Sequence, residues 1–392
     1  MDSVGLRMKV VVAHPSLNRG GGAEKVCLTA VRALVNKHFE VELATLERTD
    51  WHFLEGRFGP LCRPTEEMFL VEKLPIKGRL SQLVFTSGFL PFLLFLRMFH
   101  KKDVLFNAYG DLGGSIADIS YVNSLPFEIT RLFTESNLSN SLIWWSIART
   151  YGLSRRVLDR AFRGNRILAN SKFIHNALRR HLGIRSQVVY PPVEVEEFRR
   201  KKLGSPRKRL VVSVARIRPG KNLNIVPQLA KSVNDAHFVI IGLADSASLD
   251  TVQSLESAIR AFEVEHRVTL LINQPRRKLV DILSSSLVFL QTQRHEAFGI
   301  AIVEAMAAGC VPLVPKDGGP WLDVLAEKDG QWGYSYSNVE EASQRISMLI
   351  QNERLTKEIS NRTVKRATFF ATCVFENEIS RIVGEVSSEK AA

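Results

Sequence analysis

Short apolar runs alternate with longer segments of helical periodicity along most of the chain. The runs are rich in Val, Ile and Leu without strict alternation, which is typical of parallel strands buried on both faces. In the first half of the chain the predicted strands are Lys9–Ala13, Glu40–Thr45, Val104–Asn107, Ile119–Asn123, Arg166–Ala169 and Gln187–Tyr190. In the second half they are Leu210–Val214, His237–Ile241, Val268–Ile272, Leu287–Gln291 and Val311–Val314. Strands that alternate with helices indicate right-handed βαβ units, so the predicted fold class is α/β.

This strand series starts twice. Pro191-Pro192 ends the first series and a charged stretch precedes the second, so we expect a domain boundary within 191–208. Two Rossmann-like domains with doubly wound parallel sheets are predicted over residues 1–195 and 196–370, with a helix over 371–392 that returns toward the first. Ligands of this architecture bind at the carboxyl ends of the strands, and two facing domains would form a cleft there.

Composition is that of a globular protein. With 392 residues, 45% of them hydrophobic and 24% charged, the chain is long enough for two hydrophobic cores. The four cysteines include no C-x-x-C pair, so we expect reduced thiols in a cytosolic setting. No secretory signal is expected at the N-terminus.

The charge balance is strongly basic. A net charge of +13 indicates an anionic partner, which could be nucleic acid, an acidic membrane surface or a phosphorylated substrate. Residues 149–185 hold ten basic residues against the single Asp159, and Arg156, Arg160 and Arg163 share one helix face. That face is either a solvated surface or a helix that lies on a membrane.

A second segment with membrane character is Leu83–Leu96, which is rich in Leu and Phe. It is shorter than the ~20 apolar residues that span a bilayer, so it is either a buried core helix or an interfacial segment. Trp144-Trp145 adds aromatic surface of the kind found at lipid headgroups, or simply packs in a core.

Several common signatures are absent from the sequence. The pair His295-Glu296 is not followed by the second histidine of H-E-x-x-H, and no Walker P-loop surrounds Gly220-Lys221. No D-x-D pair exists, and no G-x-G-x-x-G follows a strand. These absences argue against a zinc protease, a P-loop nucleotidase, a metal–diphosphate site built on D-x-D and dinucleotide-dependent redox chemistry.

Two segments have the character of anion sites. Gly20-Gly21-Gly22-Ala23-Glu24 lies between the first strand and a helix, where glycines allow close backbone approach and the helix N-terminus offers N–H donors. Arg216 and Lys221 follow the first strand of the second domain, where two cations suit a diphosphate leaving group. The alternatives are a flexible turn for the first and a solvated basic loop for the second.

A third segment carries two carboxylates. Glu296-Ala297-Phe298-Gly299 leads into the apolar helix Ile300–Ala308, and Glu304 lies inside that helix. A lone carboxylate in apolar surroundings is costly unless it has partners. The hydroxyl groups of a sugar or a ribose would serve, and so would an internal cap or salt bridge.

The three segments in this order resemble the retaining glycosyltransferases of family 4, which have the GT-B fold. The central mark is the E-x7-E motif, here Glu296 and Glu304. GGAE lies near the start of the chain, and the Arg216/Lys221 segment lies between GGAE and the E-x7-E motif. The resemblance implies a hexosyltransferase that needs no metal and no cofactor beyond its nucleotide-sugar substrate. It also implies attack from the front face, with retention of the anomeric configuration.

The resemblance also implies roles for individual residues. Arg216 and Lys221 would bind the donor diphosphate, Glu296 would contact the donor sugar, and Glu304 would hold the ribose hydroxyls. The remaining implied donor contacts come from the backbone of Phe298, Gly299 and Ile300. The backbone of Gly21 and Gly22 would approach the donor phosphates or the acceptor.

Within that family the chain resembles the dolichol-linked-oligosaccharide α-1,2-mannosyltransferases, which extend the N-glycan precursor. This likeness rests on Gly318–Asp323, on VVYPPV at 188–193 and on 273–279. It implies GDP-mannose in preference to UDP-sugars and a polyprenyl-phosphate-linked acceptor bound by the N-terminal domain. It also implies peripheral attachment of a basic surface to the cytoplasmic face of an anionic membrane, with no nucleic-acid partner.

The sequence departs from this group at one position. A histidine commonly follows the strand of the acceptor domain, but Asn123 stands there in this chain. Asn123 is therefore the expected acceptor-binding residue, and it can hydrogen-bond a hydroxyl group but cannot titrate. Two other functions stay open: a family 4 enzyme with a lipopolysaccharide or soluble glycan acceptor, and an inactive GT-B-like protein that binds anionic surfaces.

Overall fold

The computed structural model describes residues 8–73, 79–110, 116–125, 165–199 and 207–392. The chain divides into two compact units. The N-terminal unit comprises Met1–Pro192 together with Thr372–Ala392, and the C-terminal unit is the continuous segment Val193–Ala371. The sequence-based boundaries were expected after residues 195 and 370.

The N-terminal unit is built on a seven-stranded parallel sheet in the order β3-β2-β1-β4-β5-β6-β7. Its strands are β1 Lys9–His14, β2 Glu40–Glu47, β3 Glu66–Val71, β4 Val104–Asn107, β5 Ile119–Val122, β6 Arg166–Ala169 and β7 Gln187–Val188. Its first helices are α1 Gly22–Asn36, α2 Trp51–Phe58, α3 Arg79–Phe99 and α4 Lys172–Leu182. The strand order reverses between β1 and β4, as in doubly wound folds.

The helix α3 contains the predicted segment Leu83–Leu96 and extends it at both ends. In its second half Phe89, Phe92 and Leu96 are buried, while Phe95, Met98 and Phe99 are exposed. The described second half of the helix therefore packs in the core and ends in an exposed apolar surface. No helix in the described part of the chain is long and apolar enough to cross a membrane.

Some residues of the predicted basic and aromatic surfaces lie outside the described part of the chain. They are Arg156, Arg160, Arg163, Trp144 and Trp145.

The C-terminal unit repeats the same plan with a six-stranded parallel sheet in the order β10-β9-β8-β11-β12-β13. Its strands are β8 Lys208–Arg216, β9 His237–Leu243, β10 Val268–Ile272, β11 Ser286–Leu290, β12 Val311–Pro315 and β13 Tyr334–Tyr336. Its helices are α5 Val195–Phe198, α6 Ile225–Ser232, α7 Leu249–Ala261, α8 Arg276–Ser285, α9 Ile300–Ala307, α10 Val339–Gln351 and α11 Glu353–Ala367. The α/β fold class with two doubly wound parallel sheets is confirmed.

The last helix, α12 Thr372–Ala391, belongs to the N-terminal unit. Its residues Phe375, Ile379 and Ile382 are buried in the same core as the β1 strand. Arg32 on α1 pairs with Glu376 at 2.7 Å. The core of the N-terminal unit is thus completed by residues from the far end of the sequence.

The four cysteines are thiols rather than disulfides, and Cys27 and Cys310 are buried.

Candidate active site

The predicted donor residues lie at the carboxyl edge of the C-terminal sheet. The strand order reverses between β8 and β11, and ligands of doubly wound sheets bind at such a switch point. Arg216 is the last residue of β8 and is exposed, and Lys221 ends the short 3₁₀ turn that follows. Glu296 lies in the loop between β11 and α9. The two loops that flank the switch point therefore carry the predicted cations and the first carboxylate.

Lys221 and Glu296 are in direct contact. The Lys221 Nζ lies 3.0 Å from Glu296 Oε2 and also donates to the Gln293 side chain. The Thr292 hydroxyl donates to the Lys221 carbonyl at 2.6 Å, so backbone and side chain together hold the two loops side by side. A diphosphate that binds Lys221 must share or replace its contact with Glu296.

The backbone of the Glu296 loop rests against two glycines. The Gly319 N–H donates to the Glu296 carbonyl at 2.8 Å. A Cβ on Gly319 would lie 2.0 Å from the Ala297 carbonyl oxygen, and Gly318 has φ +70°. Only glycines allow this close approach, so the Gly318-Gly319 pair positions the carboxylate loop.

Asp317 is a site residue that the sequence did not reveal. Its Oδ1 accepts from the His295 N–H at 2.7 Å, and its Oδ2 pairs with Arg294 at 2.8 Å. Asp317 and Gln293 both follow the carboxyl ends of strands, β12 and β11 respectively. That placement is the signal that could have identified them.

The helix α9 begins where the backbone turns sharply. Gly299 has φ +91° and caps the helix, and Ile300 is its first residue. Phe298 is buried, with its ring 5.3 Å from that of Phe370, so its side chain belongs to the core. Only the backbone around Phe298 and Gly299 can face a donor, at the electropositive end of the helix.

Glu304 has a protein partner. Its side chain is 8% exposed and its Oε1 lies 3.2 Å from Arg276 Nη2. The internal salt bridge that the sequence left open is therefore present at one carboxylate oxygen. Arg276 lies within the 273–279 stretch of the sequence-based resemblance, but its charge partner could not be read from the sequence.

The glycines predicted at the N-terminal unit lie at the start of α1. Gly21 caps the helix, and its N–H donates to Glu24 Oε2 at 2.7 Å, while Gly22 begins the helix and is exposed. The Gly21 N–H is therefore already used by the protein, and an anion at this turn would need other N–H groups.

Asn123 directly follows β5. Its side-chain amide donates to the Ala108 carbonyl at 2.8 Å, and its own carbonyl accepts from Asn170 at 2.5 Å. These contacts place the amide at the carboxyl edge of the N-terminal sheet, where the predicted acceptor residue was expected.

His14 is a second residue that the sequence did not reveal. It ends β1, is only 1% exposed, and its Nδ1 accepts from the Ser16 N–H at 3.3 Å. Burial lowers the pKa of His14 to about 4, so the imidazole is neutral near pH 7. Its Nε2 has no hydrogen-bond partner among the described residues, although it lies at the switch point of the N-terminal sheet.

The described residues contain no group of three or more His, Cys, Asp and Glu side chains that could hold a metal ion.

Comparisons with known proteins agree with this fold. Residues 194–366, nearly the whole C-terminal unit, match the family model described as "Glycosyl transferases group 1". The sucrose-phosphate synthase of Thermosynechococcus elongatus has a TM-score of 0.78 at 14% identity, covering 98% of this chain and 100% of that one. Anabaena HepE in complex with UDP and glucose has a TM-score of 0.72 at 18% identity, covering 96% and 100%. The two parallel sheets therefore have the GT-B fold of these solved structures, and the C-terminal unit matches a group 1 glycosyltransferase domain.

The curated relatives are more specific. The chain is similar to proteins named GDP-Man:Man(3)GlcNAc(2)-PP-Dol alpha-1,2-mannosyltransferase. For Caenorhabditis elegans the identity is 24%, over 96% of this chain and 91% of the relative. For Homo sapiens it is 24%, over 88% and 80%. For Dictyostelium discoideum it is 26%, over 55% of this chain and 46% of the relative, so that alignment spans about half of each protein. The resemblance to retaining glycosyltransferases and to this group of mannosyltransferases is confirmed.

Proposed function

We propose that the protein transfers mannose from GDP-mannose to a polyprenyl-phosphate-linked glycan, with retention of configuration. The observation that carries the proposal is the contact between Lys221 and Glu296 at the switch point of a group 1 domain. The names of the curated relatives supply the sugar, the nucleotide and the lipid-linked acceptor.

In this proposal the donor lies along the carboxyl edge of the C-terminal sheet. Arg216 and Lys221 stabilise the diphosphate, whose negative charge grows as the glycosidic bond breaks. Each charge-assisted hydrogen bond of this kind contributes about 1.5–3 kcal/mol. Because these fixed cations take the place of a metal ion, the reaction needs none.

The two carboxylates bind the sugar and the ribose of the donor. Glu296 binds the mannose hydroxyls beside the backbone of Phe298, Gly299 and Ile300, and Glu304 binds the ribose. The acceptor hydroxyl attacks from the face that GDP leaves, and the departing diphosphate takes its proton.

The N-terminal unit binds the acceptor. Asn123 supplies a neutral hydrogen-bonding group at the carboxyl edge of its sheet, and the turn at Gly21 and Gly22 lies at the same edge of that sheet, after β1.

The test is a transfer assay with the purified full chain. GDP-mannose, GDP-glucose, UDP-glucose and UDP-N-acetylglucosamine are each offered with a polyprenyl-diphosphate-linked glycan, with and without EDTA. We expect mannosylated lipid product from GDP-mannose, unchanged by EDTA, and mass spectrometry with an α-mannosidase digest identifies it. Transfer only to lipopolysaccharide or to a soluble glycan, binding without transfer, or strict dependence on added metal would each contradict the proposal.

We also propose that the protein attaches peripherally to the cytoplasmic face of an anionic membrane through the end of α3. Phe95, Met98 and Phe99 are 41%, 68% and 69% exposed, and the exposed Lys101 and Lys102 follow directly. The apolar side chains can enter the headgroup region, and each lysine near anionic lipid adds about 1 kcal/mol.

This attachment is tested by flotation with vesicles of phosphatidylcholine and phosphatidylserine. The double variant Met98→Ser/Phe99→Ser should lose at least half of the vesicle-bound fraction. Phe53→Ser is the matched control, because Phe53 is 42% exposed on another helix. Equal binding by the double variant and the control would place attachment elsewhere on the molecule.

A further inference from the structure

Arg276 holds three groups of the C-terminal unit together. It is the first residue of α8, and its Nε and Nη2 donate to both carboxylate oxygens of Glu197 at 2.6–2.8 Å. The same Nη2 lies 3.2 Å from Glu304 Oε1. The guanidinium also stacks on Phe198, with its carbon 4.9 Å from the ring centroid.

This arrangement fixes the guanidinium in one orientation. Bidentate pairing and stacking on an aromatic ring both constrain its plane, and a lysine could reproduce neither. Burial lowers the pKa of Arg276, but hydrogen bonds and ion pairing with Glu197 and Glu304 outweigh burial and raise it. Arg276 therefore carries its charge throughout the accessible pH range.

The cluster of Glu197, Arg276 and Glu304 has a net negative charge. Two carboxylates face one guanidinium, so Glu197 compensates Arg276 and Glu304 retains its negative character. Arg276 is the only described side chain that hydrogen-bonds Glu304. Glu304 Oε2 thus keeps its acceptor capacity, which suits neutral hydroxyl donors and repels a phosphate.

We propose that Arg276, held in place by Glu197, is a positioning residue that orients Glu304 for the ribose of the nucleotide donor. Glu304 accepts from the vicinal ribose hydroxyls while Arg276 fixes the other side of its carboxylate. The anionic cluster at Glu304 and the cation at Lys221 then set the direction in which the nucleotide lies. This inference rests on the proposed nucleotide-sugar donor, and it adds the residues that give the ribose site its geometry.

The test compares two nucleotides on the full chain by calorimetry: GDP and 2′,3′-dideoxy-GDP, which lacks both hydroxyls. Arg276→Ala should weaken GDP binding about tenfold, equivalent to one lost charge-assisted hydrogen bond, and change binding of the dideoxy nucleotide less than twofold. Arg276→Lys should show the same selective loss at a smaller magnitude, because lysine keeps the positive charge but cannot form the bidentate pair with Glu197. Arg277→Ala is the matched control, since Arg277 is the exposed neighbour on the same helix.

Each outcome has one meaning. A loss confined to GDP in both Arg276 variants supports the inference, and Arg276→Lys decides alone if thermal unfolding shows that Arg276→Ala is not folded. Equal losses for both nucleotides, or none, overturn the positioning role while the donor site stands. A wild-type chain that binds neither nucleotide, or binds both equally, overturns the proposed ribose site itself.

Discussion

The six strands of the C-terminal sheet have the same order as the first six of the N-terminal sheet, but the carboxyl edges of the two sheets carry different chemistry. In the C-terminal unit the edge is charged. Lys221 pairs with Glu296, and Arg276 pairs with Glu304.

In the N-terminal unit the ends of β1, β4, β5 and β6 carry neutral groups, although Glu47 ends β2, and these four strand ends form the neutral edge. His14, Asn107, Asn123 and Asn170 end or follow strands there, and the asparagine amides bond to backbone groups. Burial keeps His14 uncharged near pH 7 by lowering its pKa to about 4.

The difference separates two tasks that one fold can support. Fixed charges stabilise a leaving group whose charge changes during a reaction. Neutral amides and an uncharged imidazole can bind hydroxyl groups without altering their charge. The charged edge therefore fits the proposed donor site, and the neutral edge fits the proposed acceptor site.

The largest expected effect comes from removing charge at the donor edge. Glu296→Gln keeps the shape of the side chain but loses the charge that pairs with Lys221, so we expect transfer to fall about 100-fold or more. Transfer rate at saturating donor measures this, and circular dichroism shows whether the fold is retained. Arg218→Ala is the control, because Arg218 lies in the same loop as Lys221 but pairs with Asp245 instead of Glu296. Normal turnover by Glu296→Gln would show that transfer does not need the charge of Glu296.

The second effect concerns the stability of the neutral edge at acidic pH. The pKa of His14 is lowered in the folded state, so the unfolded state binds its proton first as pH falls. Stability should therefore decline between about pH 6.5 and pH 4, by up to about 3 kcal/mol from this residue. His14→Gln should flatten the dependence of Tm on pH in that window, and His266→Gln, at an exposed position, should not. Identical pH profiles for His14→Gln and the wild type would show that His14 does not control acid stability.

The third effect tests the backbone support of the donor edge. Gly319→Ala places a Cβ against the Ala297 carbonyl, which must move, so we expect a loss of about 2 kcal/mol in stability and a marked loss of transfer. Gly220→Ala is the matched control, since a Cβ there meets nothing within 4 Å. Chemical denaturation and the transfer assay measure the two losses. Equal behaviour of the two variants would contradict the requirement for close approach.

The smallest effect should fall on the acceptor alone. Asn123→Ala removes a neutral hydrogen-bonding group, so the KM for the acceptor should rise about tenfold, as for one lost hydrogen bond to a hydroxyl. The Kd for GDP should stay unchanged, because the charged edge is intact. A change in GDP affinity with no change for the acceptor would reverse the assignment of the two edges.

Much of this fold follows from local sequence, because strands buried on both faces must be apolar along their length. The strands β4, β6 and β10 have the predicted bounds. The edge strand β3 was missed because it begins Glu66-Glu67 and is largely exposed, and β13 was missed because it has three residues. Apolar content cannot reveal a strand that is exposed or very short.

The donor site could be predicted only in part. Lys221 and Glu296 follow strands that are neighbours in a doubly wound sheet, so their proximity is a consequence of topology. The partner of Glu304 is different, because Arg276 and Glu304 lie on separate helices, α8 and α9, that the tertiary fold brings together. Nothing in the spacing of Arg276 and Glu304 indicates that contact. The position of Asp317 after β12 indicates a residue at the carboxyl edge, but not its contacts with Arg294 and His295.

The position of α12 has a consequence for synthesis on the ribosome. The C-terminal unit is one continuous segment, whereas the core of the N-terminal unit needs Phe375 and Ile379. During translation the later half can therefore reach its native state while the earlier half still lacks a helix. The emerging first half would expose part of its core for the time needed to make roughly 180 more residues, at about 5–20 residues per second. It is the half for which cotranslational chaperones would matter.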